Sequence, residues 1–170
     1  MPQEPQKILV REAVSERDVL LTFRLAEEVF GVDSFWSFDL EKEVVEKFPG
    51  GLHVLEVDGH IAGYYDIYGL TESGFSALRK EGERGLDINS FACVTRDVPV
   101  YLAGIVVAPS FRAWSSHLLI DLHKRIDAIA EKNDVYSLAY SPEGERVLSR
   151  MGLQRQIPGE QLYARFSTQS

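Results

Sequence analysis

The 170 residues are 45% hydrophobic and 11% aromatic, a composition that buries a core and excludes a disordered chain. The formal net charge is −8 with no basic stretch, which excludes the usual nucleic-acid binder and leaves the acidity to serve a cationic partner or plain solubility. Cys93 is the only cysteine, so no internal disulfide forms. No Cys/His cluster has zinc spacing, the polar opening residues lack a signal-peptide core, and no apolar run approaches a membrane span. The expectation is one cytoplasmic domain with no metal, no membrane and no nucleic-acid partner.

In chain order, Ile8–Val14 reads as a first strand. Ser15 caps a helix over about Glu16–Phe30, with Val19, Leu20, Phe23, Leu25, Ala26 and Val29 facing inward and Gly31 past its end. Ser37 or Asp39 caps a second helix to about Phe48, and Pro49-Gly50-Gly51 breaks it. His53–Val57 and Ile61–Tyr68 flank Asp58-Gly59, the clearest hairpin signal in the chain. Ser73–Glu83 reads as a short helix and Leu86–Thr95 as an extended segment. An apolar run from Val100 to Pro109 then reads as a buried strand. A short polar loop follows, and a helix covers Ala113–Asn133 with Trp114, Leu118, Leu119, Leu122, Ile126, Ile129 and Ala130 on one face. Val135–Tyr140 is the next strand. Ser141 opens another helix with Pro142 at a permitted early position, Gly152 closes it, and two terminal strands flank Pro158-Gly159.

The strand-to-helix junction carries the most specific pattern. Val107-Ala108-Pro109 ends the strand, Arg112 follows, and Ser115 and His117 come after it at alternate positions. Backbone N–H groups at such a helix start lack intrahelical partners and suit an anion. The junction resembles motif A of the GNAT superfamily, the acyl-CoA-dependent N-acyltransferases. There a strand ending in Val-x-Pro leads into (Gln/Arg)-x-x-Gly-x-(Gly/Ala), whose amides hold the coenzyme A pyrophosphate. Here the two small positions fall on Ser115 and His117. The order of strand, two helices, hairpin, central strand and helix resembles the same superfamily. The resemblance implies an α/β fold, a mixed, mainly antiparallel twisted sheet with helices on both faces. It also implies one GNAT-like domain over residues 1–170 with an insertion at about 69–97. That insertion lids an acceptor site, pairs with a second copy in a homodimer, or is a plain surface excursion.

The resemblance also implies the site. Ile105, Val106 and Val107 would offer a strand edge to the pantetheine arm, with Val135–Tyr140 as neighbour. Arg112, Ala113, Trp114, Ser115, Ser116 and His117 would meet the pyrophosphate. His117 alternatively points to solvent and pairs with Asp121, one helical turn on. The superfamily's proton-donating Tyr falls on Leu148, which cannot donate, and its Asn on Ser141. Tyr140 or Tyr101 would then substitute as catalytic hydroxyl beside Ser141, and Glu56, Asp66 or Asp97 would act as base. Phe35, Trp36 and Phe38, set among Glu27, Glu28, Asp33, Asp39, Glu41, Glu43 and Glu46, would border the acceptor through cation–π and ionic contacts. The alternative places those acids on helix surfaces and those aromatics in the core. The implied reaction moves an acetyl or other acyl group from a coenzyme A thioester to a small-molecule or protein amine. Two alternatives stay open: a catalytically inactive binding or regulatory protein, and a transferase fed by long-chain acyl-CoA or acyl carrier protein.

Overall fold

The computed structural model describes residues 4, 5, 7–31, 36–158 and 160–168. In chain order the elements are β1 (Ile8–Glu12), α1 (Glu16–Phe30), α2 (Phe38–Lys47), β2 (Leu52–Val57), β3 (His60–Leu70), α3 (Glu72–Glu81), β4 (Phe91–Ala92), β5 (Val100–Val107), α4 (Ser115–Ala130), β6 (Val135–Leu138), α5 (Pro142–Arg150), β7 (Gln154–Arg155) and β8 (Leu162–Arg165). The sheet runs β1-β2-β3-β5-β6-β8-β7, with β4 added to β3. The β5–β6 ladder is parallel, and the β1–β2, β2–β3, β3–β4, β6–β8 and β7–β8 ladders are antiparallel. This is the mixed, mainly antiparallel sheet the sequence implies. The chain forms two compact units, Met1–Asp66 with Gly104–Leu122, and Ile67–Ala103 with His123–Ser170.

In the first unit, local chemistry sets the element ends. The Ser15 hydroxyl accepts the Asp18 N–H at 3.1 Å, the N-cap that the sequence shows, and Ser37 does the same for the Leu40 N–H at 3.1 Å. The β2–β3 turn places Asp58 at φ 48° and Gly59 at φ 82°, the two left-handed residues of a tight hairpin turn. Gly63 is required by close approach. A Cβ there would stand 2.6 Å from the Val106 carbonyl oxygen, so only glycine lets β3 lie this near to β5. Val19, Leu25 and Ala26 of α1 close over Leu52, Val54, Tyr64, Val106 and Ala108 to form the core of this unit.

An ion network ties β1, α1 and β2 together. Arg11 donates twice to Asp18, both at 2.9 Å, and once to Glu56 at 2.7 Å. Its fork geometry and the small exposure of the Asp18 side chain, 9%, separate it from an ordinary surface pair. It also uses up the position that would otherwise continue the first strand, since Val14 donates its N–H to Asp18 at 3.0 Å and β1 ends at Glu12, not at Val14.

The second unit contains the segment that the plain strand order lacks. Thr71 caps α3 through the Gly74 N–H at 3.0 Å. A 3-10 turn over Gly82–Gly85 and another over Ile88–Ser90 lead to β4, which pairs back onto the end of β3 through Gly69↔Ala92 and Leu70↔Phe91. The expected extended segment over Leu86–Thr95 is therefore strand only at Phe91–Ala92, after the 3-10 turn at Ile88–Ser90. Asp87 accepts the Asn89 N–H at 2.8 Å while its own N–H donates to the Ser90 hydroxyl at 3.0 Å, a reciprocal cap that winds the chain before it can extend. Further on, β5 pairs with β6 through Val100↔Val135, Tyr101↔Tyr136 and Leu102↔Ser137. Among the described residues no helix is long and apolar enough to cross a membrane.

Hydrogen bonds from Arg11 first, together with the backbone N–H of Val14, hold the Asp18 carboxyl at about 2 against burial, below its ordinary 3.8. A depressed carboxyl contributes stability present above its unfolded pKa and lost as pH falls through the folded one. Asp18→Asn should therefore lower stability by about 2 kcal/mol at pH 7 and by far less near pH 2. Urea melts at the two pH values check this, and an equal loss at both would contradict it.

Candidate functional site

In the first unit, β5 ends in a strand segment with a defined outer edge. The Ala108 N–H donates to the Ala62 carbonyl at 2.8 Å. Backbone groups of an extended strand alternate between its two edges, so Val106 and Gly104 turn theirs to β3 as well. Ile105 and Val107 turn theirs to the opposite edge. Of the three residues the resemblance implicates, Val106 is thus committed to the sheet, its side chain buried in the core, while the half-buried Ile105 and Val107 present free-edge geometry.

The junction beyond β5 differs from the expected loop. Pro109–Trp114 is wound as a 3-10 turn, and α4 begins at Ser115 rather than at Ala113. Proline at the first position presets the turn. The Phe111 N–H donates to the Ala108 carbonyl at 2.9 Å, and the Ser115 N–H donates to the Arg112 carbonyl, so both amides are used within the turn. Arg112, Ala113, Ser116 and His117 are exposed, Ser115 is half-buried, and Trp114 leans on Phe111 with ring centres 6.0 Å apart. The polar side chains at this end of α4 therefore face water, while its first-turn backbone is partly spent. His117 does not pair with Asp121. That carboxylate instead accepts the Tyr65 hydroxyl at 2.5 Å, and Tyr65 is fully buried and stacked on His53 at 5.2 Å.

The three carboxylates proposed as base separate cleanly. Glu56 is bound to Arg11. Asp97 is exposed at φ 68° in the turn before β5. Asp66 is buried on β3, and a Cβ on Gly104 would lie 3.3 Å from its Oδ1 and 3.7 Å from the Tyr64 ring. A bare glycine thus leaves the Asp66 carboxylate next to the β5 backbone at the start of the segment whose edge is described above.

Around α1 and α2, Trp36 is buried, and Phe38 packs edge-on against Phe23 at 5.6 Å and against the core. Phe35 and Asp33 lie outside the described residues. Glu28, Asp39, Glu43 and Glu46 are exposed and Glu27 is half-buried, whereas Glu41 is 6% exposed. Burial pushes the Glu41 carboxyl up to about 7. Thr22 donates its hydroxyl to the Val19 carbonyl at 2.8 Å and, at the longer distance of 3.4 Å, to Glu41 Oε1, a contact that opposes the upward shift without outweighing burial.

In the second unit, Tyr101 is fully buried and donates its hydroxyl to Glu83 in the 3-10 turn after α3. Burial pushes the Glu83 carboxyl up to about 7, against the hydrogen bond from Tyr101. Tyr140 follows β6 and is 49% exposed, and its hydroxyl is pushed up by burial first and by the Glu83 charge second. One of the two hydroxyls named from sequence, that of Tyr101, is therefore spent on an acid that sequence reading missed. The available signal was Gly82-Glu83-Arg84-Gly85, an acid between two glycines in the segment that fits no plain strand order. Ser141 serves as the N-cap of α5, accepting the Gly144 N–H at 3.0 Å, and Leu148 is buried on that helix.

The strand order and these elements recur in known structures. The loading GNATL domain of CurA from Lyngbya majuscula aligns at TM-score 0.71 and 13% identity, covering 95% of this chain and 98% of that one. The chain has the GNAT fold. NAA60 of Arabidopsis thaliana, crystallised with a bisubstrate analogue, aligns at TM-score 0.58 and 19% identity over 96% of this chain and 100% of that one. The GNAT N-acetyltransferase YhbS of Escherichia coli, crystallised with CoA, aligns at TM-score 0.55 and 17% identity over 96% and 83%. No family model and no curated protein matches the sequence.

Glu41 yields a test of its own. A carboxyl whose folded pKa is raised contributes stability that is complete below its unfolded value, 4.5, and is lost as pH rises through about 7. Glu41→Gln should leave thermal stability unchanged at pH 4 and raise it at pH 8, by an amount on the order of 2 kcal/mol. Lower stability of Glu41→Gln at pH 8 would contradict the burial argument.

Proposed function

We propose that the chain is an N-acyltransferase that moves an acetyl or other acyl group from a coenzyme A thioester to an amine. The observation that carries this reading is the β5 segment itself. β3 holds one edge of it, Ile105 and Val107 turn their amide and carbonyl groups to the other, and it runs straight into the Pro109 turn and α4. An extended thioester arm is itself a chain of amides, and a strand edge with free donors and acceptors is its natural partner. The complexes of YhbS with CoA and of NAA60 with a bisubstrate analogue support the same chemistry for this fold.

In this reading Ile105 and Val107 bind the pantetheine amides. Arg112 and His117, exposed at the head of α4, face the phosphate groups together with the first-turn amides of Ser116 and His117. The amine nitrogen attacks the thioester carbonyl carbon, the carbonyl oxygen takes the negative charge, and the carbon–sulfur bond then breaks to release thiolate. A backbone N–H at the same edge stabilises the developing oxyanion. Asp66, beside Gly104, takes the proton that the amine must lose. Thiolate leaves without a dedicated acid, so Leu148 at the usual tyrosine position is compatible with turnover. The transfer is direct, and orientation is the main contribution of the protein.

Calorimetric titration with acetyl-CoA, coenzyme A and a long-chain acyl-CoA tests the reading. Binding of at least one is expected, and preference among them identifies the donor. Asp66→Asn should keep that binding and lower acyl transfer by about 10²–10⁴-fold. Absence of binding to all three would leave an inactive GNAT-fold protein and overturn the proposal.

A further inference from the structure

Tyr65 and Asp121 form a hydrogen bond that the transfer steps above do not use. Side chains of an extended strand alternate between the two faces of the sheet. Tyr64 belongs to the core closed over by α1, so Tyr65 stands on the opposite face. There its fully buried ring stacks on His53 of β2, with centres 5.2 Å apart and planes 2° from parallel. Its hydroxyl donates to Asp121 of α4 at 2.5 Å. Asp121 is half-buried and lies one helical turn beyond His117.

Leu118 and Leu122 of the same helix are fully buried. Apolar contact is non-directional and tolerates a small slide or roll of a helix. A hydrogen bond to a carboxylate is short and directional, and it holds the helix at one setting. The strand that supplies the donor is the same β3 that Gly63 lets approach Val106 of β5. β3 is therefore the common reference for two features, the outer edge at Ile105 and Val107 and the first turn of α4. A ligand that touches both must find them at one spacing, and a displacement of about 1 Å can cost roughly 100-fold.

We propose that Tyr65 and Asp121 are positioning residues for the phosphate end of the thioester donor, their hydrogen bond setting the start of α4 relative to the β5 edge. The assignment rests on the acyl-transfer reading and adds to it two residues that touch neither thioester nor amine.

The test is titration of the full chain with acetyl-CoA and with S-acetylpantetheine, which carries the same thioester arm without the pyrophosphate. Tyr65→Phe keeps the ring and its stack on His53 and removes the donor. It should weaken acetyl-CoA by about tenfold, the scale of a helix start acting on an anion, and leave S-acetylpantetheine unchanged. Asp121→Ala, at a half-buried position, should do the same. The double variant should lose no more than either single one, because both remove one bond. Asp121→Asn keeps an acceptor oxygen and should lose less. Should Tyr65→Phe fail to fold, the two Asp121 variants read the same bond. Unchanged acetyl-CoA affinity in both single variants, equal weakening of the two thioesters, or losses that add in the double variant would overturn the assignment. Wild type that binds acetyl-CoA, with Tyr65→Phe and Asp121→Ala equal to it, defeats this inference alone. Wild type that binds neither thioester defeats both this inference and the acyl-transfer reading.

Discussion

The close approach of β3 to the end of β5 is the constraint on which the candidate site depends. Gly63 permits it, because any Cβ would stand 2.6 Å from the Val106 carbonyl oxygen. Once β3 occupies one edge of Gly104–Val107, strand alternation alone decides which amides remain for a ligand. Ile105 and Val107 point outward and Val106 does not. Gly104 extends the same logic, since the missing side chain leaves Asp66 against the backbone. Two glycines thus set both the edge and the acid beside it.

Charge burial is handled in two different ways. Asp18 is buried with a bidentate arginine and is held strongly ionised. Glu41, buried, and Glu83, half-buried, have hydroxyls as their side-chain partners, and both are pushed up to about 7. The first arrangement fastens β1, α1 and β2 and has no spare capacity. The second leaves carboxyls whose protonation state is decided near neutral pH. For Glu41, packed under α1 and α2 with little exposure, the outcome is a pH-dependent stability.

Much of this fold was legible in the sequence because its signals are local. The Ser15 and Ser37 caps, the Asp58-Gly59 turn, the short helix read as Ser73–Glu83 and found at Glu72–Glu81, and the Pro142 helix start each follow from side-chain chemistry within a few residues. The junction after β5 was legible as a motif, but its winding was not. A 3-10 turn and an open loop begin with the same proline, and hydrogen bonds within the turn decide between them. The pairing of Tyr65 with Asp121 was hidden because fifty-odd residues separate them, whereas His117 is the helical neighbour that a local argument selects. Glu83 was hidden for the same reason. Its partner Tyr101 comes from a strand that lies beyond it in the chain, and its own sequence context reads as a turn. Among the aromatics named for an acceptor wall, Trp36 and Phe38 are accounted for by the core, which apolar composition alone does not distinguish from a ligand surface.

The measurement that tests the central claim most directly is residue-resolved amide hydrogen exchange with and without acetyl-CoA. Acetyl-CoA should slow exchange at Ile105 and Val107, whose N–H groups face the free edge, and leave Val106, already bonded toward β3, almost unchanged. Slowing at Val106 alone, or no slowing anywhere along Gly104–Val107, would contradict the assignment of this strand edge to the thioester.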